Sequence, residues 1–593
     1  RRIGTKPGSP PAHGGQGRGA AQRQVPAAGM RGHLLRPQER WVSIAGSSTI
    51  AATAAVVPMC SPVGLKAGRR QVSSTAPMAV GATAIADPSR RGRRSLAAAL
   101  SLLAPLVALR GPVALVGGAP PPARCARPGR AASAADRTGS RLEALRVAVV
   151  GAGPSGLLLA HRLLAAGATV DVFEGRSDPR GSEAALEGRA YALGLGIRGR
   201  TAIRTAGDDL WDSIKPKGYG SERFQLHLPF GPVDLRTPED GDGLEPSLLI
   251  YQSDLCGAML DQLERRYASS GRLRTCFGAN VKSVDVAAGT VTLSEPDGGS
   301  NMFGPVDIVA GCDGVNSVVR ASVEQACFGF TVQKKPLPGF LKVLRFPKMP
   351  TALEPTAVHA IPGKGGSSAF IEPTAFGACA LINWRDSPTE PDAAEKGKGV
   401  DWNKLDGPAE AREALRSAFP LLDDVLDDEA GRQFVQQQPS KSATLKCNTY
   451  HHAKAVLLGD AAHSTGGASG QGCNSALQDA AVLADLLIDG PGDVSGALRR
   501  YSLQRVPEGQ ALLELSLGPG EDVSPPQRVL YGLAQAVGNV LSRFGIGEQT
   551  MQTKLTTTLT PVAQIRRERD FYFGNFPSDK EFEQSIVALE ASG

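Results

Sequence analysis

Residues Arg146 to Glu174 read RVAVVGAGPSGLLLAHRLLAAGATVDVFE, and this stretch decides the fold. Val147 to Val150 is a short unbroken apolar run, the pattern of a parallel strand buried on both faces. Gly151, Gly153 and Gly156 follow as G-x-G-x-x-G: the first permits a sharp turn, the second lets backbone approach a pyrophosphate, the third lets helix and strand pack closely. Pro154 and Ser155 open a helix to about Ala166, whose positive N-terminal end faces that phosphate, and Gly167 ends it. Thr169 to Phe173 is a second strand with Glu174 at its tip, about twenty residues beyond the glycines, where a carboxylate can accept bonds from both ribose hydroxyls. A glycine-rich turn alone is weak evidence. With strand, helix, second strand and acidic tip all in order, it reads as a dinucleotide site, and the acid favours FAD or NAD over NADP.

The formal charge of +7 on 593 residues hides an asymmetry. Residues 1–140 hold twenty of the 65 basic residues but only Glu39, Asp87 and Asp136 among the 58 acidic ones, so this leader carries +17 and the remainder −10. The body is acidic and shows no basic stripe with interleaved aromatics, which argues against a nucleic-acid partner. The leader is rich in Arg, Ala, Ser, Gly and Pro, the composition of an organellar transit peptide. Arg1 precedes the first methionine, Met30, so residues 1–29 are read as a fragment end or a translation artefact. RRGRR at 90–94 before an apolar run to Leu109 reads equally as a second targeting step or as a second stretch of alanine-rich transit sequence, and with the Ala, Ser and Arg richness it tilts the expectation to the plastid over the mitochondrion. That run is shorter than the roughly 20 residues that span a bilayer. Nine scattered cysteines without C-x-x-C spacing favour neither a metal cluster nor a disulfide framework.

Two further stretches complete the pattern. FGPVDIVAGCDGVNSVVR (303–320) is a buried strand, Val306 to Ala310, running into Asp313-Gly314 and a helix ending near Arg320. AVLLGDAAHSTGGASGQGCNSALQDAAVLADLL (455–487) delivers Gly459-Asp460 at a strand tip, crosses a glycine-rich loop to Gly470-Gln471-Gly472-Cys473, and begins a helix near Asn474. A hydride-transferring dehydrogenase needs only the first signature, whereas a flavoprotein must also hold a ribityl chain and an isoalloxazine ring, so FAD is preferred to NAD. Asp460 suits a ribityl hydroxyl. The helix start at 470–474 suits the charge that develops on the flavin pyrimidine on reduction. Elsewhere, Arg198 to Ala206 reads as a short helix, 224–235 as an inserted hairpin, and 248–263 as a strand running into a helix with Ser253 as a cap. In the tail, Val529, Leu533, Val537, Val540 and Phe544 form one stripe of a helix closed by Gly545, read as packing on the body or, second, dipping into a membrane surface.

With GAGPSG, CDG at 312–314, GDAAH at 459–463 and GQGCN at 470–474, the sequence resembles the class A flavoprotein aromatic hydroxylases over roughly residues 146–515. Within that family it is similar to the kynurenine-hydroxylating branch, through ALGLGIRGRTAIRTAG (192–207), Gln252 to Leu255, HHAKAVLLGDAAH (451–463) and YSLQRVPEG (501–509). The resemblance implies that Arg189 and Gln252 also approach FAD. It implies a monooxygenase in which NADPH or NADH reduces the flavin and O₂ forms a C4a-hydroperoxide that hydroxylates a small aromatic. No protein nucleophile or general base is then required, and His451, His452 and His463 are read as structural.

The fold expected is α/β: a Rossmann-like FAD domain of glutathione-reductase type, interleaved with an antiparallel-sheet substrate domain and followed by a helical tail. Its parts are the leader 1–140, FAD domain 141–330 with inserted strands, substrate domain 331–445, FAD domain again at 446–518, and tail 519–593. Against the family's pattern, Gly467, Ala468 and Ser469 replace a proline and two phenylalanines beside the ring pocket, and the carboxylate-holding Arg and Tyr have no clean match, Arg223 being the stand-in. Other readings are a same-fold flavin reductase or dehydrogenase of polyprenyl reductase type, and a catalytically idle FAD-binding redox sensor. No transmembrane span is expected in the mature body, with peripheral membrane contact left open.

Overall fold

The computed structural model describes residues 142–181, 191–237, 245–295, 298–385, 400–467, 469–520, 523–542 and 551–592. The leader, Arg189, Ala468, Phe544 and Gly545 lie outside them.

The first sheet runs His451–His452, Ala455–Leu457, Ile308–Gly311, Arg146–Val150, Thr169–Glu174, Leu273–Phe277. Its last five strands are parallel and the two-residue edge is antiparallel. Val147, Ala148 and Val149 are fully buried; helix Pro154–Ala165 packs on this layer, and helix Gly472–Asp489 packs on that helix in turn. Gly151 is forced by its place: φ is +107°, and a Cβ there would lie 2.3 Å from the Cys312 carbonyl oxygen. The strand placed at Val306 to Ala310 is Ile308–Gly311, and the helix after it, Val318–Ala326, is capped at its start by Asp313 and Ser317 and continues beyond Arg320.

A second six-stranded sheet has the order Phe340–Phe346, Gly377–Trp384, Ser368–Thr374, Ala357–Pro362, Arg223–Leu228, Gly231–Arg236. All its pairs are antiparallel except Ala357–Pro362 with Arg223–Leu228. The hairpin at 223–236 is thus the edge of this sheet. One face carries Leu344, Phe346, Ile371, Ala380, Ile382 and Trp384, packed under helices Pro408–Ala418 and Asp428–Gln436. Trp384, Trp402 and Phe434 lie ring to ring there, 5.7–6.1 Å between centroids. The opposite face meets Ala192 and Tyr251 through Val343 and Cys379. Strand Ser247–Tyr251, which pairs with Ala192–Leu195, runs directly into helix Gln252–Tyr267, so that helix starts one residue before Ser253 and no side chain caps it.

Helix Val494–Leu517 packs along helix Gly472–Asp489, and the tail docks against it. Arg566, 2 % exposed, bonds Glu514 (2.7 Å) and Asp570 (2.9 Å), while Glu508 accepts the N–H groups of Val562 (2.8 Å) and Ala563 (3.1 Å). Helix Pro525–Ser542 departs from the expected stripe: Val529 and Leu533 are exposed, and the helix docks instead through Tyr531, whose ring packs on Tyr572 and Phe573. Among the described residues no helix is long and apolar enough to cross a membrane.

Candidate active site

The three glycine-bearing loops meet at the C-terminal ends of the parallel strands, the edge where open α/β sheets bind ligands. Gly156 is required because a Cβ would sit 2.1 Å from the Gly151 carbonyl oxygen. Gly153 is different: its backbone is extended and nothing lies within 4 Å of where a Cβ would stand, so the position opens onto space. Pro154 fills the first turn of the helix, where its missing N–H costs no bond, and Ser155 is buried behind the loop. No side chain caps that helix, which leaves its first N–H groups for an anion.

Glu174 is nearly buried. Its Oε2 accepts the Ala152 N–H (2.8 Å), and its Oε1 accepts both the backbone N–H and Nε of Arg176 (3.0 and 2.9 Å). Burial alone would raise its pKa; the bonds from Arg176 and Ala152 outweigh this and hold it below the ordinary glutamate value. With three of about four lone-pair positions in use, it has room for one ribose hydroxyl, not the two the sequence suggested.

Asp313 accepts the N–H groups of Val318 (2.7 Å) and Val319 (3.3 Å) through Oδ2, whereas its buried Oδ1 has no hydrogen-bond partner. Burial pushes its pKa up. Gly314 beside it turns at φ +76° into open space. Gly459 has φ +58° and throws Asp460 outward at the strand tip, where it is exposed. Across the cradle, a Cβ on Gly472 would come 4.0 Å from the Asp460 carboxylate. Gly467 and Gly470 turn with positive φ into open space, and Gln471, which precedes the helix, has a buried Oε1 without a partner. Ser469 accepts the Gln471 N–H (3.3 Å), and Cys473 sits in the first helical turn, its thiol pKa raised by burial. Gln252 opens its helix with its N–H on the Tyr191 carbonyl (3.3 Å).

One sequence expectation is refined and one corrected. The Asn474 side chain turns away from the cradle, which leaves only its backbone N–H in the first helical turn: the side chain is fully buried, its Oδ1 accepts the N–H groups of Gly196 (2.9 Å) and Gly199 (3.2 Å), and its Nδ2 donates to the Gly194 carbonyl (2.9 Å). It clamps strand Ala192–Leu195 to the glycine loop. Arg223 does not hold a substrate. It pairs with Asp234 (3.5 Å) and, in register with Ala357, lies on the same face as His359 and Ile361, away from Tyr251.

Behind the Gly459 turn lies a charged network that sequence reasoning missed. Asp479, fully buried, accepts Gly459 N–H (2.9 Å), His463 Nε2 (2.8 Å) and Arg505 Nε (2.6 Å). Burial would raise its pKa, but Arg505 and His463 drive it far below the usual carboxylate range. Tyr450 stacks on His463, and Gly509 leaves room for both rings. His463 therefore positions the turn. His451 is held by Ser502 Oγ (2.7 Å), and His452 pairs with Ala455 in the edge strand. Also unforeseen are Arg345 and Glu372 on the Tyr251 side of the second sheet: the Arg345 guanidinium lies 4.3 Å over the Tyr251 ring and acts on the Asp254 carboxyl, and burial pushes the Glu372 carboxyl up to about 8.

The open space at Gly153, the orphaned oxygens of Asp313 and Gln471, and the two uncapped helix starts fit a dinucleotide carrying a flavin. Residues 144–516 match the family model described as FAD binding domain, and the chain belongs to that family. It is an FAD-dependent monooxygenase of the class A aromatic hydroxylase type. In particular, it is similar to kynurenine 3-monooxygenase of Salinispora arenicola, 30% identical over 411 residues covering 67% of this chain and 85% of that one. The enzyme of the same name from Sus scrofa is 28% identical over 424 residues, covering 71% and 82%. Among solved structures, the tetrameric form of 2-methyl-3-hydroxypyridine-5-carboxylic acid oxygenase is similar at a TM-score of 0.49 and 20% identity, covering 63% of this chain and 90% of that one.

Proposed function

We propose that this chain uses NADPH or NADH, with O₂, to hydroxylate a small aromatic molecule, kynurenine being the first candidate because its relatives carry that activity in their names. The bound flavin, once reduced and exposed to O₂, would supply the electrophilic oxygen. The chain's own residues bind, orient and shield. Gly151 to Gly156 and the helix start at Pro154 would hold the pyrophosphate, Glu174 the ribose, Asp460 the ribityl chain, and the backbone of Gly470 to Cys473 the pyrimidine edge. Asp479 fixes the Gly459 turn from which Asp460 projects.

The observation that carries the reading is the second sheet's inner face. It is joined to the cofactor loops through Tyr251 and through Ala192, whose strand Asn474 ties to the glycine loop. Phe370, Leu381 and Asn383 on that face are only half-buried, as expected of a chamber wall rather than a packed interface. A wall of this kind excludes water, which an oxygenating flavin needs. No side chain acts as nucleophile or general base.

The leader supports delivery to an organelle, with the plastid favoured. Val529 and Leu533, exposed on the tail helix, are compatible with peripheral membrane contact.

The test is to load the purified chain with FAD and follow NADPH and NADH oxidation and O₂ uptake with and without L-kynurenine. Ligand-stimulated oxidation and a product one oxygen heavier support the reading. Bound FAD with no response to any small aromatic would leave the family and remove the reaction.

A further inference from the structure

Arg198 lies in the first turn of helix Ile197–Arg204 and is only 4 % exposed. Its Nε donates to the Leu555 carbonyl (3.2 Å) and its Nη2 to the Thr560 carbonyl, so both acceptors come from the tail. Leu555 sits in the last turn of helix Met551–Thr557, where carbonyls lack intrahelical N–H partners, and Thr560 lies in the connection to helix Val562–Arg567. Glu508 acts on the guanidinium from farther off, yet burial still holds its pKa below the ordinary arginine value. A buried cation in this state depends on its hydrogen bonds.

The same helical turn is bound to the glycine loop of the cradle. Asn474 Oδ1 accepts the N–H groups of Gly196 and Gly199, on either side of Arg198, and so caps a helix that has no capping side chain of its own. Asn474 stands in the first turn of helix Gly472–Asp489, the helix whose start is read as facing the flavin pyrimidine. Tail backbone closes on this junction: a Cβ at Gly196 would lie 3.3 Å from the Thr556 carbonyl oxygen and 3.9 Å from Asn474 Oδ1. Gly196 is thus in contact with both. Met551 and Leu555, both buried, anchor the tail segment by apolar contact. The ribose end of the site is built on other residues, Glu174 with Ala152 and Arg176.

We infer that Arg198 is a positioning residue of the FAD site, through which tail residues 551–560 set how tightly the flavin end of the cofactor is held. The path runs from the Leu555 and Thr560 carbonyls to Arg198, from its helix start at Gly196 to Asn474, and so to the loop at 470–474. Such coupling is reciprocal: the factor that tail docking adds to FAD affinity is the factor that FAD adds to tail docking. It rests on FAD as the cofactor with its flavin at 470–474, and on nothing in the oxygen chemistry.

The experiment uses the full chain stripped of flavin, as wild type, Arg198→Met and Arg198→Lys. FAD is titrated by flavin fluorescence and ADP by competition with FAD. Tryptic cleavage at Lys554, inside helix Met551–Thr557, is timed without ligand, with FAD and with ADP. Arg198→Met should weaken FAD about tenfold and leave ADP unchanged; Arg198→Lys should recover part of the loss, since an ammonium reaches a carbonyl but lacks the guanidinium fork. In wild type, saturating FAD should slow cleavage at Lys554 about tenfold and ADP should not, and in Arg198→Met this protection should vanish. An arginine with a purely structural role would lower stability without linking cleavage at Lys554 to FAD. The inference is overturned if Arg198→Met binds FAD as wild type does, if ADP weakens as much as FAD, or if FAD leaves wild-type cleavage at Lys554 unchanged. That last measurement decides alone should Arg198→Met not fold. Tail protection by FAD in a chain that transfers no oxygen would keep this inference and remove the reaction, and turnover with a tail indifferent to FAD would do the reverse.

Discussion

Gly153 and Gly156 show how two glycines three residues apart do different work. A methyl at Gly156 meets backbone at 2.1 Å and cannot be accommodated without moving the turn, whereas one at Gly153 meets nothing within 4 Å of the protein. Gly153→Ala should therefore leave thermal stability within about 0.5 kcal/mol of wild type while weakening FAD at least about tenfold. Gly156→Ala should give little folded protein. Equal FAD affinity in Gly153→Ala would mean that the pyrophosphate does not cross there. Asp479→Asn leaves Arg505 buried beside a neutral amide, a change that costs about 3–5 kcal/mol when a buried pair is broken on one side. A denaturation midpoint close to wild type would contradict the network's role. Histidine burial sets the acid limit. His161, fully buried on the Met259 carbonyl (2.8 Å), and His451 are both pushed by desolvation from 6.5 to about 4. A lowered folded pKa means the unfolded chain binds more protons between those values, so stability is full above about pH 6.5 and is lost as pH falls to about 4, by roughly 3 kcal/mol per histidine. His161→Gln should flatten that slope in denaturant titrations at pH 7 and pH 5; an unchanged slope would mean that the site takes up a proton without cost.

At the scale of elements, the strand–turn–helix–strand unit was legible because its signals are local: an apolar run, three glycines and an acid at fixed spacing. The sheet face was not, since Arg345 and Glu372 lie 27 positions apart and become neighbours of Cys379 only through register, where a slip of one residue reverses every side chain. Arg223 was misplaced for the same reason. Its residue type suited a carboxylate, but only pairing reveals which face it takes. Asn474 was read from its position in a cofactor motif, while its contacts depend on strand Ala192–Leu195 lying beneath the helix start. The tail is a further case, because one buried cation, Arg566, joins its helices to the body alongside the Glu508 cap. Arg566→Met should leave Glu514 and Asp570 without their shared partner and loosen helices Val562–Arg567 and Asp579–Ser592. Limited proteolysis should then cut first between residues 557 and 562, with FAD retained; unchanged protection would show that the apolar contacts of Ile565 and Ile586 suffice.

For the whole molecule, a parallel-sheet cradle and a second sheet meet through Tyr251, Ala192 and the Asn474 clamp, and the chemistry expected belongs to what lies between them. The cradle would orient the flavin and the sheet would choose the ring. The reaction is thereby separated into parts that can fail independently: FAD can bind without substrate, and substrate can bind without oxygen transfer. The most direct test is a turnover under ¹⁸O₂ with the FAD-loaded chain, NADPH and L-kynurenine, with the product weighed by mass spectrometry. One ¹⁸O atom in a hydroxylated product, and none in controls lacking NADPH, is the predicted result. FAD-dependent NADPH oxidation that sends all its O₂ to hydrogen peroxide and leaves every aromatic ligand unlabelled would contradict it.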